Sequence, residues 1–402
     1  MNKNLRDALN LLSKLTWFKA LNMCKVVASY LASKVMKRPM HAGMPMSISF
    51  EPTTSCNLRC PECPSGLRSF TRPTGMLPAD LFKQTIDELE DTLMYLLFYF
   101  QGEPFLHPQF LDLVQYASSK GIYTATSTNA HFLHDQVAKK VVTSGLDRLI
   151  ISIDGTTQET YSAYRLGGHP QFLDLVQYAS SKGIYTATST NAHFLHDQVA
   201  KKVVTSGLDR LIISIDGTTQ ETYSAYRLGG KLDKVLEGTK NVLRWKKELK
   251  SSTPHVIFQF LVVKPNQHQM AEVRELAKSL GVDTVGFKTA QIYDYEKGSE
   301  LIPTLDKFSR YKASPDGTFK IKNQLLNHCW KMWHSCVITW DGKVVPCCFD
   351  KDAHYMLGDV SKTSFKALWK SDAYQNFRGS LIRSRSEIEM CKNCTEGTRV
   401  WA

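Results

Sequence analysis

Acidic residues are nearly missing from the front of this sequence. Residues 1–45 hold Asp7 alone against Lys3, Arg6, Lys14, Lys19, Lys25, Lys34, Lys37 and Arg38, and so supply +7 of the net charge of +12. The rest of the chain is only mildly basic, which excludes a broad cationic face for nucleic acid. Long apolar runs are missing too, because lysine interrupts each before it reaches bilayer length. Scattered cysteine pairs are also absent. The ten cysteines stand in tight groups with no secretory signal, a pattern of metal or cluster binding in a reducing compartment rather than of a disulfide scaffold. A cytoplasmic protein is the expectation. With 43% hydrophobic and 22% charged residues among 402, the composition is that of a globular protein of two or three domains.

The most informative stretch is Cys56-Asn57-Leu58-Arg59-Cys60-Pro61-Glu62-Cys63. Three thiolates within eight residues converge on one centre, and soft sulfur selects zinc or an iron–sulfur cluster. Zinc would want a fourth ligand nearby, and the next cysteine is Cys329. A four-iron cube held by three cysteines instead leaves one iron open to a cofactor. Met46–Glu51 alternates like a strand, so the loop lies at a strand's C-terminal end, where α/β proteins place their chemistry.

This loop resembles the cluster loop of the radical S-adenosylmethionine (radical SAM) enzymes. The resemblance implies a [4Fe–4S] cluster on Cys56, Cys60 and Cys63 that binds S-adenosylmethionine. Glu62 departs from the family, many of whose members carry an adenine-contacting aromatic residue there. One strand later, Gln101-Gly102-Glu103-Pro104 resembles the family's Gly-Gly-Glu-Pro, which grips the amino group of the methionine moiety. Gln101 replaces its first glycine.

Strands and helices alternate from residue 45, as in a parallel α/β fold. Residues 107–168 recur without a change as residues 169–230, a 62-residue tandem duplication and not a solenoid of diverged repeats. One copy gives six βα units, matching the partial (β/α)6 TIM-like barrel of the radical SAM core; both copies give up to eight. The expectation is that six strands keep the ancestral arrangement and the surplus unit is extruded. The resemblance places ribose and methionine-carboxylate contacts at Thr128, Asn129, Ser152, Asp154 and Arg165 in the first copy. In the second they fall on Thr190, Asn191, Ser214, Asp216 and Arg227. Such residues also cap helices. Chain continuity favours Asn129 beside Glu103, with the Asp216–Arg227 copy leading into Lys231.

Three parts follow: a basic N-terminal helical segment (1–44), a core (45–305) and a cysteine-bearing C-terminal domain (306–402). The first has an apolar face through Leu5, Ala8, Leu9, Leu12 and Leu15, continued by Trp17, Phe18, Leu21, Leu31 and Val35. It either packs that face on the fold or a partner, or lies weakly on an anionic membrane surface; packing is the expectation. The last part has a hairpin with Asp341-Gly342 at its turn and a Cys391-Lys392-Asn393-Cys394 knuckle. It resembles SPASM/twitch auxiliary-cluster domains, which implies a second [4Fe–4S] cluster on Cys329, Cys347, Cys391 and Cys394, with Cys348 as a substitute for Cys347. Four thiolates would equally suit zinc.

What the resemblance implies is a radical SAM enzyme, fed by a one-electron reductant of flavodoxin or ferredoxin type. It would form a 5′-deoxyadenosyl radical that takes hydrogen from a peptide, a small molecule or a sugar. The competing expectation is an iron–sulfur or zinc scaffold without turnover, inactivated by the duplication.

Overall fold

The structure, a computed structural model, describes residues 3–60, 63–133, 135–152, 172–292, 295–322 and 325–394. Eight parallel strands follow one another in chain order: β1 (Ser47–Phe50), β2 (Tyr95–Phe98), β3 (Tyr123–Thr128), β4 (Arg148–Ser152), β5 (Tyr185–Thr190), β6 (Arg210–Ser214), β7 (His255–Val262) and β8 (Thr284–Thr289). Each βα step adds its strand beside the last, as right-handed crossovers do. Among the described residues β8 pairs only with β7, so the sheet is open at that edge.

The duplicated unit is not extruded. β3–β4 and β5–β6 both lie within the sheet, with β4 paired to β5 through Arg148↔Tyr185 and on to Ser152↔Ser189. The physical reason lies in the strands themselves: Tyr-Thr-Ala-Thr-Ser-Thr and Arg-Leu-Ile-Ile-Ser need pairing on both edges, and a detached two-strand unit would leave them unpaired. Insertion has its own cost, visible where identical sequences meet different surroundings. Tyr123 and Ala125 are buried, whereas the matching Tyr185 and Ala187 are only half-buried and Ser189 is exposed. Two added strands widen the curve of the sheet, so its inner face is no longer filled.

The boundary expected near residue 305 does not interrupt the sheet. β11 (Ser335–Ile338) pairs in parallel with β1, and β12 (Lys343–Val345) and β13 (Gly358–Asp359) extend that edge; a separate hairpin joins β9 (Tyr311–Ala313) to β10 (Phe319–Ile321). The β11–β12 turn occurs as expected, with Gly342 at φ +83°. A buried ion pair fastens this joint. Arg72 Nη1 and Nη2 donate to Glu51 Oε2 and Oε1 at 2.8 and 2.6 Å, and Arg72 Nε donates to Lys351 O. Trp340 N of the hairpin turn donates to the same carboxylate. Both side chains are almost wholly buried, at 4% and 0% exposure, so removing either strands the other's charge. We expect Arg72→Met or Glu51→Gln to cost about 3–5 kcal/mol in urea unfolding, and the double variant less than the sum of the two.

Candidate active site

Two short segments build the site at the C-terminal ends of β1–β3. After β1 the chain enters the three-cysteine loop; after β2 it turns through Gly102 with φ +74°. A Cβ on Gly102 would lie 2.2 Å from Thr53 O, so only glycine lets the two loops approach this closely. Glu103 N then donates to Ser55 O at 2.7 Å. The Gln101 departure is accommodated by Ser65, which follows the third cysteine: its hydroxyl accepts from Gly102 N and donates to Gln101 Oε1.

Glu103 is buried and its carboxylate is held on both oxygens. Oε1 accepts from Thr128 Oγ1 at 2.7 Å, and Oε2 accepts from Asn129 N at 2.8 Å. The Asn129 amide donates to Asn57 Oδ1 at 2.8 Å and lies 3.9 Å from Cys56 Sγ. Gly102, Glu103, Thr128 and Asn129 are thus gathered around the cysteine loop, and Asn57 and Ser65, which no motif singles out, complete the hydrogen-bond network.

Cys56, Cys60 and Cys63 form a small cluster with Leu58, apart from the main core. None is in a disulfide. Burial pushes the Cys56 thiol up, and Glu103, Cys60 and Cys63 each add to the push, so the three sulfurs share one environment. Gly66 leaves room for the backbone of Cys60, 2.5 Å from where its Cβ would stand. Glu62 lies outside the described residues.

The second copy is placed otherwise. β6 stands four strands from β2, ~19 Å along the sheet at the usual strand spacing. Asp216 is buried and already engaged: Oδ2 accepts from Arg227 Nε at 2.6 Å, and Oδ1 from Leu261 N at 2.6 Å. Ser214, Asp216 and Arg227 are therefore not brought to the cysteine loop, and Thr190 and Asn191 only close their own turn onto Ala192 N and His193 N. The two interposed strands are the cause. Ser152 ends β4, the strand next to β3; Asp154 and Arg165 lie outside the described residues. The cavity of about 570 Å³ beneath β3–β6 opens at the opposite end of the strands and touches none of these residues.

A second thiol group forms under the hairpin. Cys329, Cys391 and Cys394 are buried, Cys347 is half-buried and Cys348 exposed. Burial raises the Cys347 thiol, with Cys348, Cys329 and Cys391 adding to it; burial likewise pushes Cys391 up to about 11, with Cys329 and Cys394 contributing. Asn393 pins the knuckle, donating to Ile292 O and accepting from Tyr311 OH. Cys336 faces elsewhere, buried beside Tyr374 and Arg378. Arg385, fully buried, donates from Nη1 to His328 O and from Nη2 to Cys394 Sγ. Burial opposes its charge, but Cys329, Cys394 and Cys391 outweigh that and raise its pKa.

These features define an α/β protein with a three-thiolate loop at its strand ends and a second thiolate site in its C-terminal part. Residues 50–191 match the radical SAM superfamily and residues 329–395 the SPASM iron–sulfur cluster-binding domain; the chain belongs to the radical SAM superfamily and is an enzyme of that class. It is 23% identical over 374 residues to the tungsten-containing aldehyde ferredoxin oxidoreductase cofactor-modifying protein of Pyrococcus furiosus, covering 86% of each chain. It is 34% identical over 124 residues to the mycofactocin maturase MftC of Mycobacterium ulcerans, 31% of this chain and 33% of that one. The solved structure of SuiB from Streptococcus suis shares its fold, at 14% identity and a TM-score of 0.50, over 89% of this chain and 73% of that one.

The two domain matches imply a [4Fe–4S] cluster with S-adenosylmethionine at the first site and auxiliary iron–sulfur clusters at the second. The residues present fit both: a thiol trio beside a fixed carboxylate and an amide, and a thiol group of which Cys329, Cys391 and Cys394 stand around a buried guanidinium. A cluster held by these thiols would gain negative charge on reduction, and the buried Arg385 guanidinium beside them would offset it. Arg385→Met should lower the auxiliary reduction potential by on the order of 60 mV for each tenfold of lost stabilisation, read by EPR-monitored titration, with the first-loop cluster unmoved. Gly102→Ala should abolish S-adenosylmethionine binding in equilibrium dialysis, because the Cβ displaces the Glu103 loop.

Proposed function

We propose that this enzyme uses the Cys56–Cys63 loop to cleave S-adenosylmethionine reductively and to take a hydrogen atom from a peptide or a cofactor-sized substrate. When bound, the cluster and S-adenosylmethionine supply an electron and a 5′-deoxyadenosyl radical. The protein's own part is placement. Glu103 offers a buried carboxylate for the ammonium of the methionine moiety, held in one orientation by Thr128 and Asn129. Asn129 and Asn57 fix that carboxylate relative to Cys56, and the Gly102 turn keeps water out by bringing two backbones into contact. Cys329, Cys347, Cys391 and Cys394 would hold the auxiliary cluster as an electron acceptor or a substrate anchor. A one-electron donor of flavodoxin or ferredoxin type supplies the reductant.

The single observation that carries this reading is the Glu103–Asn129–Asn57–Cys56 chain of contacts, in which a strand-end carboxylate and the cysteine loop are one unit. Two facts support a large substrate. The names of relatives include a peptide cyclase, a maturase and a heme synthase, and the widened sheet leaves the inner face of β5 open at Ser189. One observation favours the scaffold without turnover: Ser214, Asp216 and Arg227 are displaced by two strands from where one cofactor would gather them.

Deleting residues 169–230 joins Gly168 to Lys231 and so reproduces the natural Gly230–Lys231 junction. After anaerobic reconstitution and addition of dithionite, the full chain is expected to release 5′-deoxyadenosine, and the shortened chain to release it at least tenfold faster. An iron-loaded full chain and shortened chain that both leave S-adenosylmethionine intact would refute the enzyme reading.

A further inference from the structure

The two N-terminal helices pack inside out. Helix α1 (Lys3–Ser13) meets the base of the sheet with its polar side. Asp7 pairs with Arg148 and accepts from the Tyr123 hydroxyl, and Asn10 Nδ2 donates to Asp147 Oδ1 at 2.8 Å. Helix α2 (Trp17–Met36) does the same. Its buried positions are Lys19, Asn22, Val26, Ser29 and Ser33, four of them polar. Lys19 Nζ donates to Gly121 O, Asn22 bonds both the N–H and the C=O of Met44, and Ser33 Oγ accepts from Met40 N.

The apolar side faces outward. Of eighteen large hydrophobic side chains exposed among the described residues, ten lie between Leu9 and Met36. On α2 the exposed stripe runs through Trp17, Leu21, Cys24, Ala28, Leu31 and Val35, alternating four and three residues apart, so it holds one face for roughly 27 Å. Trp17 is 76% and Val35 78% exposed. Lys25 and Lys34 are exposed and stand about a quarter-turn to either side of the stripe. A surface helix of a globular fold normally buries its apolar stripe; this one uses hydrogen bonds to dock and leaves the stripe over.

We propose that α1 and α2 form a membrane-docking face that lies in the headgroup region of an anionic bilayer. Among the described residues no helix is long and apolar enough to cross a membrane, so the contact is in the plane of the surface, with Trp17 and the leucines inserted. The flanking lysines extend their stems along the apolar surface and place their charges at lipid phosphates. Charge decides between occupants. From Ala8 to Pro45 the chain has no acidic residue, so a second copy would set lysine against lysine along the same stripe, whereas anionic headgroups complement it.

The face is on the side of the sheet away from the cysteine loop: the α2 contacts at Gly121, Met44 and Thr92 all precede their strands. Docking therefore leaves the strand-end site open to solution, and its test does not depend on catalysis. The full chain should co-sediment with vesicles of phosphatidylcholine plus phosphatidylglycerol and much less with phosphatidylcholine alone. Added salt should release it. Leu31→Glu with Val35→Glu, both exposed in the fold, should weaken binding more than tenfold while leaving iron content and circular dichroism unchanged. Lys25→Gln should weaken it about fivefold. Failure to sediment, equal binding to neutral vesicles, or concentration-dependent self-association abolished by the same Leu31/Val35 variant would each overturn the proposal, the last by assigning the stripe to another protein surface.

Discussion

Glu103 is the point at which three strands agree on one geometry. Its carboxylate is buried, and the end of β3 makes this tolerable through the Thr128 hydroxyl and the Asn129 backbone N–H, while Ser55 O on the β1 side accepts the Glu103 backbone N–H. A buried carboxylate without such donors would protonate or move. The close approach at Gly102 is what lets the β1 loop reach it. Loosen that contact and the cysteine loop loses its fixed relation to the sheet, although nothing in the loop itself has changed.

The C-terminal part depends on a comparable constraint at the other edge. β11 adds to β1, so the strand that leads into the cysteine loop is flanked on both sides and cannot fray. Glu51, directly after β1, bonds Arg72 and the hairpin turn at once. The thiols of Cys329, Cys347, Cys391 and Cys394 are thereby tied through the sheet to the front loop. One continuous sheet thus joins the parts of the chain that carry the two cysteine sites.

The parts of this architecture that depend on short sequence intervals were legible. Three cysteines in eight residues, Gly-Glu-Pro one strand on, and Asp-Gly in the hairpin each carry local geometry in their spacing, and the structure places them accordingly. Asn129 beside Glu103 followed from chain continuity. The fate of the repeat did not, because it turns on whether strand edges or inner-face packing costs more, a balance no residue pattern displays. For the same reason the sequence did not show that Ser214, Asp216 and Arg227 would end up four strands from β2. Glu51–Arg72 was invisible because the pair spans two separate segments, and Arg385 because nothing in the sequence pattern shows that its side chain turns inward onto the thiols. The N-terminal helices showed their amphipathic pattern plainly, but periodicity says which residues share a face and not which face turns inward; hydrogen bonds from Lys19, Asn22 and Ser33 decided that.

The insertion of two identical copies also gives the chain a choice while it folds. β2 offers its edge to Tyr-Thr-Ala-Thr-Ser-Thr, and that string occurs twice. If β5 docks there first, Asn191 takes the seat beside Glu103, every local contact is satisfied, and sixty-two residues are looped out. Nothing in the side chains discriminates between the two partners; only the loss of β3 and β4 from the sheet, and the nearer reach of β3 along the chain, favour the arrangement seen. Refolding of the full chain should therefore branch toward a trapped, shorter-sheeted species that a single-copy chain cannot form.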